Sequence, residues 1–300
     1  MLVKKSKPDL LSIKKNAHRN KEASRMAYKA LILEKEGAVA IITLNRPDAG
    51  NSFDFRLMEE FDAAVRDVAE DKAVRAVIIT GAGKYFSTGI DLNMFTNPEK
   101  LVGDKEDEPI RAPAQDDKTY GRGTIIGGLI RIRSMSKPVI AAINGPVTGA
   151  AFSMALGCDI RIASDRARFS MVFVKRGIVP DTGGSFTLPR LVGPARACEL
   201  ILTGDAINAA EADRIGLVNR VVPHDELMKA AKELAQRIAK NPPLAVAMAK
   251  ADLYKAMEEK DIIKQMKREE KSQEVLLNTE DFQESAAAFM EKREPVFKGK

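Results

Sequence analysis

Pro138-Val139-Ile140-Ala141-Ala142-Ile143-Asn144-Gly145-Pro146-Val147-Thr148-Gly149-Ala150-Ala151-Phe152-Ser153-Met154-Ala155-Leu156-Gly157-Cys158 carries no charged side chain, in a chain where 30% of residues are charged. Its length alone suits a membrane span. Asn144-Gly145-Pro146 falls near its middle, however, and that triplet is turn chemistry. The run therefore reads as a short buried strand over Val139–Ile143, a tight loop, and a small-residue helix starting near Gly149. A strand that feeds a loop and a helix N-terminus leaves backbone N–H groups free in apolar surroundings. Such a place can hold an anion or an oxyanion.

Working outward, residues 30–34 and 39–44 flank Lys35-Glu36-Gly37 and read as a hairpin. Residues 53–68 place Phe53, Leu57, Phe61, Ala64, Val65 and Val68 on one helical face. A buried strand over 76–80 leads into Gly81-Ala82-Gly83-Lys84, which fails as a nucleotide loop. A phosphate-cradling P-loop needs glycine where Ile78 stands and Ser or Thr where Tyr85 stands; a dinucleotide fingerprint needs glycine at Phe86. Residues 99–118 are charged and aperiodic, an expected surface loop, and 121–135 resume as a helix. A loop at 177–184 precedes a helix at 185–191, and beyond Ala195 helical patterns dominate, with one strand expected at 217–222. Strands alternating with helices, then helices alone, imply an α/β fold with a helical C-terminal region. The boundaries read as a basic extension over 1–27, a core over 28–222 and a helical region over 223–300.

The totals narrow the chemistry. Three hundred residues with 45% hydrophobic content can bury a large core. A net charge of +6 favours anionic ligands without choosing among them. With no Trp and 5% aromatics, base-stacking surfaces are not evident, which places nucleic acid last among the partners. Cys158 and Cys198 form no metal-type cluster, and His18 and His224 are the only histidines. A zinc site or a serine–histidine hydrolase has little to draw on, and reduced, inert thiols point to a cytoplasmic setting. The lysine-rich first residues lack an apolar signal core; an organellar matrix is the alternative if they act as a targeting segment. The regular pattern begins just after Met26, an alternative start.

Two strand-to-glycine loops, 86–92 and 144–150, could each aim a backbone N–H into one pocket. Two such donors make an oxyanion hole, worth about 3–4 kcal/mol per donor to a transition state. Spacing alone does not separate this from glycine loops used for packing.

The chain resembles the crotonase superfamily, the enoyl-CoA hydratase/isomerase family. The likeness rests on Ile42-Thr43-Leu44-Asn45-Arg46-Pro47, Phe86-Ser87-Thr88-Gly89-Ile90-Asp91-Leu92, Lys137 through Gly145, Pro180-Asp181-Thr182-Gly183-Gly184, Leu202-Thr203-Gly204, Ala209-Ala210-Glu211-Ala212, Gly216-Leu217-Val218 and the tail Glu291-Lys292-Arg293-Glu294-Pro295. It spans residue 28 to the C-terminus with the motifs in the family's order. The resemblance implies a ββα spiral core, a helical C-terminal trimerisation region, and trimers or dimers of trimers. It implies a CoA thioester as substrate, with no separate cofactor or metal. It also implies that the backbone N–H groups of Ile90 and Ala150 hold the thioester oxygen. Ser87, Gly89, Asp91, Leu92 and Gly149 line the same loops. Arg46 and Lys84 lie beside loops that face CoA, and Phe297 and Lys298 match tail residues that cover adenine. For each of these four, a solvated side chain is the competing reading.

Departures from the family bear on the reaction. Family hydratases use two glutamates; the matching positions here are Ser153 and Phe173. A serine without a partner has no suitable pKa, and phenylalanine cannot titrate. Asp181 is the remaining acid in the matching region and resembles the aspartate of isomerase members with Pro-Asp in this loop. One carboxylate can take a proton from one carbon and return it two carbons away. With Val172, Phe173 and Phe186 near in sequence, desolvation is expected to raise its pKa. Capping of the helix that follows is the other reading for Asp181, and the two can coexist. Asp91 has a mainly structural alternative, and His224 reads as a surface or capping residue. The expectation is a double-bond isomerase; a hydratase with an acid from the 92–120 loop, or a non-catalytic acyl-CoA binder, remain the alternatives.

Overall fold

The structure, a computed structural model, describes residues 28–96 and 125–300. The expected basic extension and the whole of the expected 99–118 loop lie outside the described residues.

Gly37, with φ +60°, turns β1 (Leu31–Glu36) back on β2 (Val39–Leu44) as an antiparallel pair. A short 3-10 turn at Pro47–Ala49 leads to α1 (Phe55–Glu70), and β3 (Ala76–Gly81) returns parallel to β2. That ββα order is the expected unit. The helix starts two residues later than Phe53. Asp54 accepts the Leu57 N–H and caps it, while Phe53 instead joins a bridge to Ile90. After α2 (Asn93–Thr96) and α3 (Ile125–Ser134), β4 (Val139–Ile143) joins β3 in parallel. The uncharged run then breaks where its Asn-Gly-Pro stands. It continues as β5 (Val147–Thr148) and α4 (Gly149–Gly157). No helix among the described residues is long and apolar enough to cross a membrane.

β6 (Ile160–Ser164) and β7 (Arg168–Ser170) follow, then a 3-10 turn at Val172–Arg176, α5 (Gly184–Val192) and α6 (Pro194–Thr203). β8 (Ala206–Asn208), α7 (Ala209–Arg214) and β9 (Arg220–Val222) complete the sheets. One sheet runs β1-β2-β3-β4-β6-β9, all parallel except β1 against β2; the other runs β5-β7-β8. The last strand is shorter than 217–222, because Gly216 turns left-handed and Leu217 carbonyl is taken by the buried Arg161 side chain.

Alternation along the strands explains their unbroken apolar character. Val77, Ile79, Val139 and Ala141 face a core shared with α1, α3 and α4, whereas Ile78, Ile140 and Ala142 face α8 (Leu227–Ala239) through Leu227, Ala231 and Ala235. Strands covered on both faces have no polar side to show. α9 (Pro243–Ala256) is pinned by one half-buried acid at the end of the uncharged run. Asp159 accepts Val139 N–H at 2.7 Å, Lys250 Nζ at 2.8 Å and Tyr254 OH at 2.5 Å. Lys250 also donates to the carbonyls of Ile132 and Lys137. α10 (Ile262–Leu277) and α11 (Glu280–Glu291) carry exposed Ile262, Ile263, Met266, Phe289 and Met290.

Candidate active site

The loops after β3 and β4 meet edge to edge. Ser87 bridges Val147, Thr148 N–H donates to Ser87 O at 3.1 Å, and Thr148 Oγ1 donates to Thr88 O at 2.8 Å. Gly89, at φ +90°, lies against the start of α4: a Cβ there would sit 2.9 Å from Thr148 O and 3.5 Å from Ala150 N. On its other side, Gly89 O accepts the Phe53 N–H at 2.7 Å and Asp91 N–H donates to Phe53 O at 3.0 Å. A trans peptide points its N–H opposite to its C=O. Ile90 N–H is therefore turned away from Phe53. Ala150 is the second residue of α4, so no carbonyl within the helix lies one turn back to receive its N–H. The two expected donors thus stand on adjoining backbones.

An apolar wall stands beside them. A Cβ on Gly149, itself at φ +55°, would touch Val172 Cγ1 at 3.7 Å and Phe173 Cζ at 4.0 Å. Phe173 is buried, with its ring where the resemblance places a carboxylate. Ser153, one turn on from Ala150, is fully buried and its Oγ has no hydrogen-bond partner among the described residues. It packs against Gly184, where a Cβ would come within 2.4 Å of Ser153 Oγ. Neither position offers an acid, and Ser153 is sealed under α5 rather than open to a ligand.

Asp181 enters from that same contact, three residues before Gly184, whose N–H it receives at its carbonyl, 2.9 Å. Its carboxylate accepts Thr182 Oγ1 at 2.9 Å and makes no ion pair among the described residues. Thr182 is buried at φ +51°, a left-handed residue that turns the chain into α5. Asp181 itself is exposed. The expected apolar enclosure is absent within the single chain, because Phe186 lies under the Arg190 guanidinium at 3.6 Å and is itself exposed. Capping by the Asp181 side chain is also absent: α5 has no side-chain cap.

Several expected ligand contacts are taken up by the scaffold instead. Arg46 reaches Asp54 at 3.1 Å, Asp91 at 3.2 Å and the Ser52 carbonyl at 2.5 Å, so its guanidinium ties the loops together. Asp91 also accepts the Asn93 N–H at 3.1 Å. Burial alone would raise its carboxyl, yet Asn93, Arg46 and Ser52 together hold it below its ordinary range. Ser87 is buried; its hydroxyl donates to Asn51 O and accepts from Gly89 N–H. Lys84 is exposed beside the Tyr85 ring, and Leu92 is exposed at the rim. Phe297 does not reach the site within one chain. Its carbonyl accepts Arg75 at 2.6 Å, before the start of β3, a strand's length of roughly 20 Å from the loops that follow it. Lys298 N–H likewise is held by Asp281 at 2.6 Å. His224 meets Ser164 Oγ through Nδ1 at 3.1 Å. No group of three potential metal ligands exists among the described residues. Burial pushes the Cys158 thiol up to about 12.

With this geometry in view, the model of the enoyl-CoA hydratase/isomerase family matches residues 34–300. The chain belongs to that family. A short-chain-enoyl-CoA hydratase of Clostridium acetobutylicum is 40% identical over 271 residues, 89% of this chain and 97% of that protein. A crotonyl-CoA hydratase of Syntrophomonas wolfei is 40% identical over 274 residues, covering 91% and 99%. A crystal structure of an enoyl-CoA hydratase from Bacillus anthracis superposes with a TM-score of 0.78 at 34% identity, covering 91% of this chain and all of that one. Family membership extends over the α/β core and the helical C-terminal region alike.

Asn51 and Asn144 were missing from the expected site. Both are buried amides, Asn51 in the connection between β2 and α1 and Asn144 in the loop after β4, and in sequence each looks like an ordinary turn residue. The left-handed φ of +54° at Asn51 has no sequence signal beyond the residue type itself.

Proposed function

We propose that this protein is an acyl-CoA enzyme that shifts a carbon–carbon double bond through a thioester enolate. The observation that carries this reading is the pairing of two outward backbone N–H groups, at Ile90 and Ala150, with a neighbouring wall that holds Ser153 and Phe173 in place of acids. In a 3-enoyl thioester the C2–H bond breaks and its electron pair moves into the thioester, placing negative charge on the carbonyl oxygen. Two fixed N–H dipoles stabilise that charge without reorganising. Asp181 takes the proton and returns it to C4, and the double bond moves from C3–C4 to C2–C3. The sequence from the start of α4 to the end of the 3-10 turn, apart from Asp159 and Asp165 on either side of β6, has no carboxylate, which leaves Asp181 as the acid nearest α5 along the chain.

Asp181 is exposed in the single chain. Bound substrate, and the self-association that the exposed apolar residues of α10 and α11 favour, would shield it. Light scattering that returns a trimer or a dimer of trimers supports this arrangement; a monomer at micromolar concentration opposes it.

Hydration is the second reading, and the names of the relatives favour it, since both curated proteins above are hydratases. It requires a further acid, expected from the 92–120 loop, of which residues 97–120 lie outside the described residues. The test is conversion of 3-enoyl-CoA to 2-enoyl-CoA, followed by absorbance of the conjugated thioester. Asp181→Asn is expected to lower kcat by about a hundredfold or more. Unchanged turnover in that variant would remove Asp181 from the mechanism. Tight thioester binding with no turnover of either substrate would leave a non-catalytic binder.

A further inference from the structure

We infer that Asn144, acting with Asn51 and Ser87, is a positioning residue that sets the distance between the two N–H donors; the inference rests on the thioester-oxygen site proposed above. Asn144 belongs to the uncharged run, six residues before Ala150, yet its side chain serves the opposite loop. Its Oδ1 accepts Gly81 N–H at 3.2 Å, and its Nδ2 donates to Gly83 O at 3.0 Å and Tyr85 O at 3.2 Å. The backbones touch at the next residue: a Cβ on Gly145 would lie 2.0 Å from Lys84 O.

Asn51 grips the same loop from the other flank. Its Nδ2 donates to Ala82 O at 2.9 Å and to Tyr85 O at 2.7 Å, and its Oδ1 accepts Arg46 N–H at 2.8 Å. The Tyr85 carbonyl thus receives both amides. Ser87 Oγ then donates to Asn51 O at 2.7 Å and accepts Gly89 N–H at 3.2 Å, one residue before Ile90. A continuous set of hydrogen bonds therefore runs from the Ala150 loop, through Asn144, Tyr85, Asn51 and Ser87, to the residue preceding the Ile90 donor. Asn51, Asn144 and Ser87 are buried, so water does not compete for these bonds.

An aspartate at 144 keeps the acceptor for Gly81 but turns the donating end into an oxygen facing two carbonyls. The loop after β3 must then move away from α4, and the two N–H groups lose their common focus. A misplacement of about 1 Å costs on the order of a hundredfold in rate. The probe is butyryl-CoA carrying 13C at the thioester carbonyl, which binds and cannot isomerise. Hydrogen bonds to the carbonyl oxygen weaken the C=O bond and lower its isotope-edited infrared frequency. In the unaltered protein the bound frequency is expected to fall below that in water. In Asn144→Asp the fall should shrink, with kcat on 3-enoyl-CoA reduced about ten- to a hundredfold and KM changed by less than about threefold. Ser87→Ala, which deletes only the last link, is expected to show a smaller loss in the same direction and serves if Asn144→Asp does not fold. A merely structural asparagine would lower Tm and leave the carbonyl frequency of the folded protein unchanged. That result, in either folded variant, overturns the inference alone. An unaltered protein that binds butyryl-CoA without lowering its carbonyl frequency overturns the thioester-oxygen site, and the inference with it.

Discussion

Gly89 packs against the chain leading into Ala150: a Cβ on Gly89 would lie 3.5 Å from the Ala150 nitrogen and only 2.9 Å from the Thr148 carbonyl oxygen. The contact is possible because residue 89 has no side chain and sits at φ +90°, a conformation L residues rarely adopt. Gly89→Ala adds a methyl group between the two donor loops and strains the backbone. It is expected to cost about 1–3 kcal/mol of stability and to reduce kcat on an enoyl-CoA at least tenfold. Denaturant melts and steady-state kinetics on the same preparation check both. Activity at the original level in Gly89→Ala would show that the loops need not approach this closely.

Ser153 presents the opposite case, a buried polar atom without a partner. Its hydroxyl is sealed against Gly184 and contributes no hydrogen bond among the described residues. Removing it relieves a desolvated group at the cost of a very small void. Ser153→Ala is expected to stabilise the chain by about 1 kcal/mol, read as a higher urea midpoint with an unchanged slope, while KM for acyl-CoA stays within about twofold. A lower midpoint would mean that the hydroxyl has a partner.

The Arg46–Asp91 pair gives a pH dependence of known sign. The folded-state pKa of Asp91 is depressed from its ordinary 3.8; burial opposes this, and bonds from Asn93, Arg46 and Ser52 outweigh it. Its stabilising contribution is therefore complete at neutral pH. It begins to fall below the ordinary value and is lost as pH drops through the depressed one. Asp91→Asn should be less stable than the unaltered protein at pH 7, and the gap should close below pH 3.8. A gap that widens on acidification contradicts the assignment.

Much of this architecture is legible in the sequence, for reasons that differ by element. Val139–Ile143 reads as a buried strand because both its faces are covered, so no polar residue interrupts it. The break at Asn144-Gly145-Pro146 reads as a loop because of its turn residues. Ser153 and Phe173 stand out because the family motifs number them. Other features depend on contacts between distant segments. The tail's docking on Arg75 takes Phe297 away from the loops, and the sequence of the tail holds no sign of it. Arg46 looks like a free cation for a phosphate until Asp54 and Asp91 are brought beside it. Exposure of Asp181 was equally hidden. Its apolar neighbours in sequence point elsewhere, with Phe186 stacked on Arg190 instead.

The central claim is that this site moves a double bond and does not add water. The most direct measurement compares, on one preparation, the rate of 3-enoyl-CoA conversion to 2-enoyl-CoA with the rate of hydration of crotonyl-CoA. With Ser153 and Phe173 in place of acids, isomerisation is expected to exceed hydration by about a hundredfold or more. Hydration at an equal or greater rate would contradict the account.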